Sequence, residues 1–139
     1  MTSERLKYYA PISEWAPLLT LQNITFINLQ YTDAKDDLIQ IKDEFGVTVH
    51  NFDDLDQYNN LADVAALSAA LDCVVSIDCA VPVISAGVGT STKCVILADD
   101  DWDNIIGNPV GPLVDTFRRN GSEPWSYVFG LITEGIAKL

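Results

Sequence analysis

Positive charge is scarce in this chain. Eight Lys and Arg stand against twenty Asp and Glu, a formal charge of −12 over 139 residues. A surface of that sign repels phosphate backbones and anionic lipid, so nucleic acid is not an expected partner. The one adjacent basic pair, Arg118-Arg119, precedes Asn120-Gly121 and reads as a solvated loop edge. Histidine occurs once, at His50 in a strand-like run, and without a partner it reads as structural rather than as a general base. The three cysteines, Cys73, Cys79 and Cys94, are an odd number and lack C-x-x-C or Cys/His spacing. That argues against a disulfide framework and against a zinc site. No stretch approaches the roughly 18 apolar residues of a membrane span, and Met1 to Ala10 lacks the apolar run of a signal peptide. A cytoplasmic protein without a membrane span is the expectation.

What is present suits one packed domain. Hydrophobic residues make up 48% and charged residues 20%, which separates the chain from disordered and coiled-coil compositions. A chain of this length buries about 68–70% of its unfolded surface, so no disulfide or metal staple is required. We expect a single domain over residues 1–139, with no internal repeat and no second-domain boundary.

Helical and strand-like periods alternate along the chain. Ser13 to Leu19 reads as a short helix or turn with Ser13 as its N-cap. Ile24 to Gln30 is β-branched and aromatic and reads as a strand. Asp33 caps a helix through Phe45 whose apolar residues Leu38, Ile41 and Phe45 fall three and four apart, and Gly46 ends it. Val47 to Phe52 is a shorter strand, followed by the acidic loop Asp53-Asp54-Leu55-Asp56. Leu61 to Leu71 is an alanine-rich amphipathic helix suited to close approach to a sheet. A short strand then runs directly into a second helix at Asp78-Cys79. Thr92 to Ala98 and Val114 to Arg118 supply two more strands, separated by a long Gly-, Pro- and Asn-rich loop. Ser122 is placed to cap a closing helix that carries Pro124, Val128, Leu131, Ile132 and Ile136. This alternation predicts an α/β fold: a Rossmann-like three-layer sandwich with a mostly parallel sheet of about five strands and helices on both faces.

In such a sheet ligands bind outside the carboxyl ends of the strands, where a helix N-terminus offers free N–H groups to an anion. The junction Ser76-Ile77-Asp78-Cys79-Ala80-Val81 has that placement. Asp78 has two readings of about equal weight, an N-cap or a ligand contact. Cys79 and Ala80 would donate backbone N–H groups, and the small residues Ser85, Ala86 and Gly87 allow close approach. Asp63, in the first turn of the preceding helix, reads first as a dipole-stabilising carboxylate and second as a ligand contact. Asp99-Asp100-Asp101 resembles a cation site only in composition, and we expect neither a metal nor a cofactor. Trp102 reads first as packing and second as a ring for stacking on a base or sugar.

These segments resemble a family. L-A-D-V-A-A-L-S-A-A-L-D-C-V-V-S-I-D-C-A-V-P-V-I-S-A-G-V-G, Leu61 to Gly89, is similar to the D-T-A-A-L-I-x-x-L-D-L-V-I-S-V-D-T-A-V-A-H-L-A-G-A-L-G pattern of heptosyltransferase-like glycosyltransferases of family nine and their tetratricopeptide-repeat relatives. The flanks agree: Trp15-Ala16-Pro17-Leu18-Leu19 resembles W-x-P-L-L, and Phe26 to Tyr31 resembles F-x-S-L-Q-Y. Asp101-Trp102 and Thr116-Phe117-Arg118 resemble the D-W-R-W and L-F-R-Q segments, and Trp125 stands where the closing helix carries its tryptophan.

The resemblance implies the C-terminal, nucleotide-sugar-binding half of a GT-B enzyme, acting without a metal. Gln30, Tyr31, Asp78, Cys79 and Ala80 would line the donor site, with Asp63 and Trp102 as further contacts. A nucleotide-diphosphate sugar and an N-terminal acceptor domain or partner chain are the implied partners, and the domain alone would be catalytically incomplete. Three positions depart from the pattern: Val83 stands for a histidine, Cys79 for Thr or Ser, and Asp103 for an arginine. Each removes a donor to phosphate. The alternative is a structural or interaction module that kept the fold and lost the donor site. A face built for an absent partner also predicts self-association.

Overall fold

The structure is a computed structural model that describes residues 9–97 and 113–136. Asp99 to Asp101, Trp102, Asp103 and nearly all of the long loop lie outside the described residues.

The chain opens with a 3-10 turn at Ile12–Trp15 that continues into helix α1, Ala16–Leu19. Ser13 therefore lies inside the turn; Pro11 precedes it and no side-chain cap is made. Strand β1, Phe26–Ile27, leads to helix α2, Lys35–Phe45, and strand β2, Val49–His50. Helix α2 has Asp36 and Asp37 in its first turn and Lys42 in its last, a charge order that complements the helix dipole. Asp33 Oδ1 accepts from Lys35 N at 3.1 Å, and Gly46, at φ +69°, ends the helix by donating its N–H to Lys42 O. A left-handed residue at this place favours glycine.

Helix α3, Leu61–Ala69, strand β3, Cys73–Ile77, helix α4, Ala80–Gly87, and strand β4, Ser91–Leu97, follow in order. Strand β5, Val114–Arg119, and helix α5, Trp125–Ile136, close the described chain. The α/β class is as expected, and among the described residues every strand pairing is parallel.

The five strands do not form one sheet. Strands β1 and β2 make a two-stranded sheet, and β3-β4-β5 make a separate three-stranded one. The expected strand over Ile24 to Gln30 shortens to two residues for a visible reason. Asn28 N still reaches His50 O at 2.8 Å, but Gln30 N then turns back onto Asn28 Oδ1 at 3.0 Å. An Asx-type bond of this kind competes with the sheet ladder and ends it.

The three-stranded sheet is covered on both faces. On one, Val75, Ile77, Val95 and Phe117 pack against Leu18, Trp125, Val128, Phe129 and Ile132, from α1 and α5. Trp15 and Trp125 flank the Phe129 ring at centroid distances of 4.6 and 5.8 Å. On the other face Cys94, Ile96 and Val114 meet Ala86 of α4. Helix α3 packs on α4 through small residues whose buried hydroxyls are paired: Ser85 Oγ donates to Ser68 Oγ and Thr90 Oγ1 to Ser68 O. The alanine- and serine-rich sequence of α3 and α4 serves this close approach.

The N-terminus of α5 is not capped by Ser122 from nearby. Glu14, far away in sequence, accepts from Ser126 N at 2.8 Å. That bond, strengthened by the Arg119 charge, holds the Glu14 carboxyl below its ordinary range.

Candidate functional site

The carboxyl ends of the strands carry two distinct arrangements, one on each sheet. The first is the β3–α4 junction. Cys79, not Asp78, occupies the N-cap position of α4, in extended conformation and without a side-chain capping bond. Asp78 N extends the β3–β4 ladder to Val95 O at 3.1 Å. Ala80 and Val81 therefore begin the helix without a capping bond from the Cys79 side chain, and Pro82, with no N–H, is buried behind them. Cys79 is exposed, and its Sγ lies 3.4 Å from Ser76 Oγ. Val83, one turn on, is 51% exposed, so the position where the resemblance has a histidine presents an apolar side chain to solvent.

The other two thiols are less exposed than Cys79. Burial pushes Cys94 up to about 12, reinforced by Asp78 and Cys79, and burial likewise raises Cys73. Cys94 is buried in the core, as expected from its apolar run, whereas Cys73 is half-buried at the start of β3.

Asp63 is drawn into local structure. Asn60 Oδ1 accepts from Asp63 N at 3.3 Å, and Asn60 Nδ2 donates to Asp63 Oδ2 at 2.5 Å. This reciprocal pair caps α3 in the manner of a capping box, with Asn60 and Asp63 in the two roles. Asp63 thus serves as the capping partner of Asn60.

The second arrangement is a cleft of about 240 Å³ at the carboxyl ends of β1 and β2. Gln30 and Tyr31 line it together with Asn28, Asn51, Gln57 and Tyr58, whereas Asp78, Cys79 and Ala80 do not. The five residues transferred from the resemblance thus divide into two groups. The floor of the cleft is a chain of amides: Asn28 Nδ2 donates to Asn51 Oδ1 at 2.8 Å, and Asn51 Nδ2 donates to Asp53 Oδ1 at 2.7 Å. Gln57 Nε2 donates to Asn28 O at 3.3 Å. Asp56 folds the loop onto itself, accepting from Asn59 and from the N–H of Tyr58, and those bonds hold its carboxyl below the ordinary range. Tyr31 and Tyr58 meet at the rim with ring centroids 5.7 Å apart.

Sequence reading missed Asn28, Asn51, Gln57 and Tyr58. One signal was legible: Asn28 and Asn51 each follow a β-branched or aromatic run directly, which puts an amide at the carboxyl end of both short strands. Nothing local announces that Gln57 and Tyr58, about thirty residues from Asn28, close over it.

Among the described residues no group of three or more His, Cys, Asp or Glu is placed to hold a metal ion. No described helix is long and apolar enough to cross a membrane.

The chain is 34% identical over 90 residues to Protein FlbA of Caulobacter vibrioides, a match that covers 65% of this chain and 15% of that protein. The chain thus corresponds to a small part of the length of that relative. No family model matches the chain. No solved structure matches it.

Proposed function

We propose that this domain binds a nucleotide-diphosphate sugar at the carboxyl ends of its parallel strands and acts with an N-terminal acceptor domain or partner chain. The observation that carries the reading is the start of α4. It follows β3 directly and begins at Ala80 with no capping bond from the Cys79 side chain. A helix start of this kind accepts a diphosphate without a metal. Gln30 and Tyr31, the other positions given by the resemblance, also lie at strand carboxyl ends. The similarity of a 90-residue stretch to part of a far longer protein is in keeping with a domain that works beside others. This reading places its action in the cytoplasm, to be checked by cell fractionation.

Calorimetric titration with UDP-, GDP- and ADP-sugars tests it. Millimolar or tighter binding is expected; no heat at millimolar ligand for any of them overturns it.

Val83 supports a second reading. An exposed valine in the first turn of α4, where a phosphate donor is expected, fits a module that kept the fold and lost the donor site. Such a module binds no nucleotide sugar and engages another protein or a second copy of itself. Light scattering distinguishes the last case, because a monomer at high concentration excludes self-association.

A further inference from the structure

We propose that two copies of this chain associate by adding strand β2 to strand β2 antiparallel, centred on Val49, so that their two-stranded sheets join across a two-fold axis. The inference gives a surface to the second-copy case of the reading above, and it involves neither the start of α4 nor the cleft.

The described strands leave four edges with no neighbouring strand, on β1, β2, β3 and β5. The residues of β1 and β3 are all half-buried or buried, so those two edges are shielded. Strand β5 is exposed at Asp115, Thr116 and Arg118, and with Asp115, Arg118 and Arg119 it carries charge along its length. Charged side chains are a common protection of an edge against pairing. Strand β2 lacks that protection. From Val47 to Phe52 the chain has no Asp, Glu, Lys, Arg or Pro, and Thr48, His50, Asn51 and Phe52 are exposed.

The bonding of β2 to β1 shows which of its backbone groups are open. His50 O accepts from Asn28 N, so the backbone of His50 faces β1. Because that direction alternates along a strand, the N–H and C=O of Val49, and of Val47 and Asn51 beside it, point the other way. Among the described residues β1 is the one strand that pairs with β2. An antiparallel copy matches this pattern to itself. With Val49 opposite Val49 of the copy, the outward groups of Val47 meet those of Asn51 at both ends of the contact. The same register sets Thr48 opposite His50 of the copy.

Charge favours a copy over an unrelated partner. At −12, two copies repel one another over most of their surface, and they approach at least cost where neither contributes a charge. The edge of β2 is such a place. A basic partner would be drawn to the acidic surface instead. Two strands this short bury far less area than a permanent dimer needs, so the association is weak and builds up at high concentration.

The test is sedimentation equilibrium of the full chain up to millimolar concentration, together with amide hydrogen exchange. Two variants change only the exposed pair that the register sets face to face. Thr48→Lys with His50→Lys places lysine opposite lysine at both ends of the contact, while making the chain as a whole less acidic. It should weaken dimerisation about tenfold, because like charges directly opposite in a sheet repel. Thr48→Lys with His50→Glu sets lysine opposite glutamate and should dimerise at least as well as the parent. In the parent, exchange of the Val49 and Asn51 amides should slow as concentration rises, whereas that of His50, whose N–H faces β1, should not change. The proposal is overturned if the parent stays monomeric at millimolar concentration, if the Val49 amide exchanges at one rate at every concentration, or if the two variants dimerise equally. A dimer that the double-lysine variant leaves intact would defeat this surface and keep self-association, whereas a monomeric parent would defeat both. Neither outcome bears on nucleotide-sugar binding, which calorimetry reads separately.

Discussion

The two sheets differ in what they bury. The three-stranded sheet and α5 enclose Val128, Phe129 and Ile132, all at or below 1% exposure. The two-stranded sheet has two residues per strand, all of them half-buried or exposed, and beside it α2 contributes Ile41 as its one buried residue. The first region holds the fold together. The second carries the cleft, whose floor is amide rather than hydrocarbon. A polar floor with partly unmet hydrogen bonding is tolerated where the neighbouring region supplies most of the stability, and low local stability is common in binding elements.

The largest expected effect tests this contrast at its centre. Phe129→Ala removes the ring held between Trp15 and Trp125 and should cost about 4 kcal/mol in denaturant unfolding, whereas Ile41→Ala on α2 should cost about 2. Equal costs would mean that the two regions share the burden.

Next is the ion pair between Lys93 and Asp115, which lies on the same sheet beneath α5. The Lys93 side chain is 7% exposed and that of Asp115 is 61% exposed. Asp115→Ala leaves the buried ammonium unpaired and should destabilise by about 2 kcal/mol, the water around Asp115 keeping the loss below that of a fully buried pair. Lys93→Met should cost less than about 1 kcal/mol, because it removes the charge along with its need for a partner. If Lys93→Met proves the worse of the two, the pair is a net source of stability.

A smaller effect belongs to Glu14, which joins the beginning of the described chain to α5. Glu14→Ala should cost about 1 kcal/mol, the value of a lost cap. The folded pKa of Glu14 is lowered, so its contribution is complete above the unfolded value, near pH 4.3, and disappears as pH falls through the lower folded value. Stability of parent and variant measured from neutral pH into acid should therefore converge; a constant gap would show that the loss is one of packing.

The smallest effect is expected in the second region. Tyr58→Ala should change stability by no more than about 0.5 kcal/mol, as at other exposed positions. A larger loss would make the tyrosine pair a structural element of the cleft.

Much of the first region was legible from the sequence. The runs at Cys73, Thr92 and Val114, the apolar period of α5 and the small residues of α3 and α4 each favour one local structure, and the elements appear close to where those patterns put them. Gly46 was legible for the same reason, since its left-handed φ is a local requirement. The cleft was legible only in part. Gln30 and Tyr31 came from the resemblance, but Gln57 and Tyr58 sit in a loop whose course depends on Asp56 bonding to Asn59 and on Gln57 reaching Asn28. Asp78 gave way to Cys79 at the start of α4 because Asp78 N is still bonded to β4, a constraint that the order of residues does not display.

By itself, then, the sequence determined the element types, their order and the acidic surface, because these follow from periodicity, turn chemistry and charge carried by neighbouring residues. Tertiary structure decided that the strands divide into two sheets, that Glu14 caps a helix more than a hundred residues away, and that Gln57 reaches Asn28 O beside a cleft lined by two tyrosines. Each of these depends on which distant groups find one another, and hydrogen bonds across long sequence separations leave no period to read.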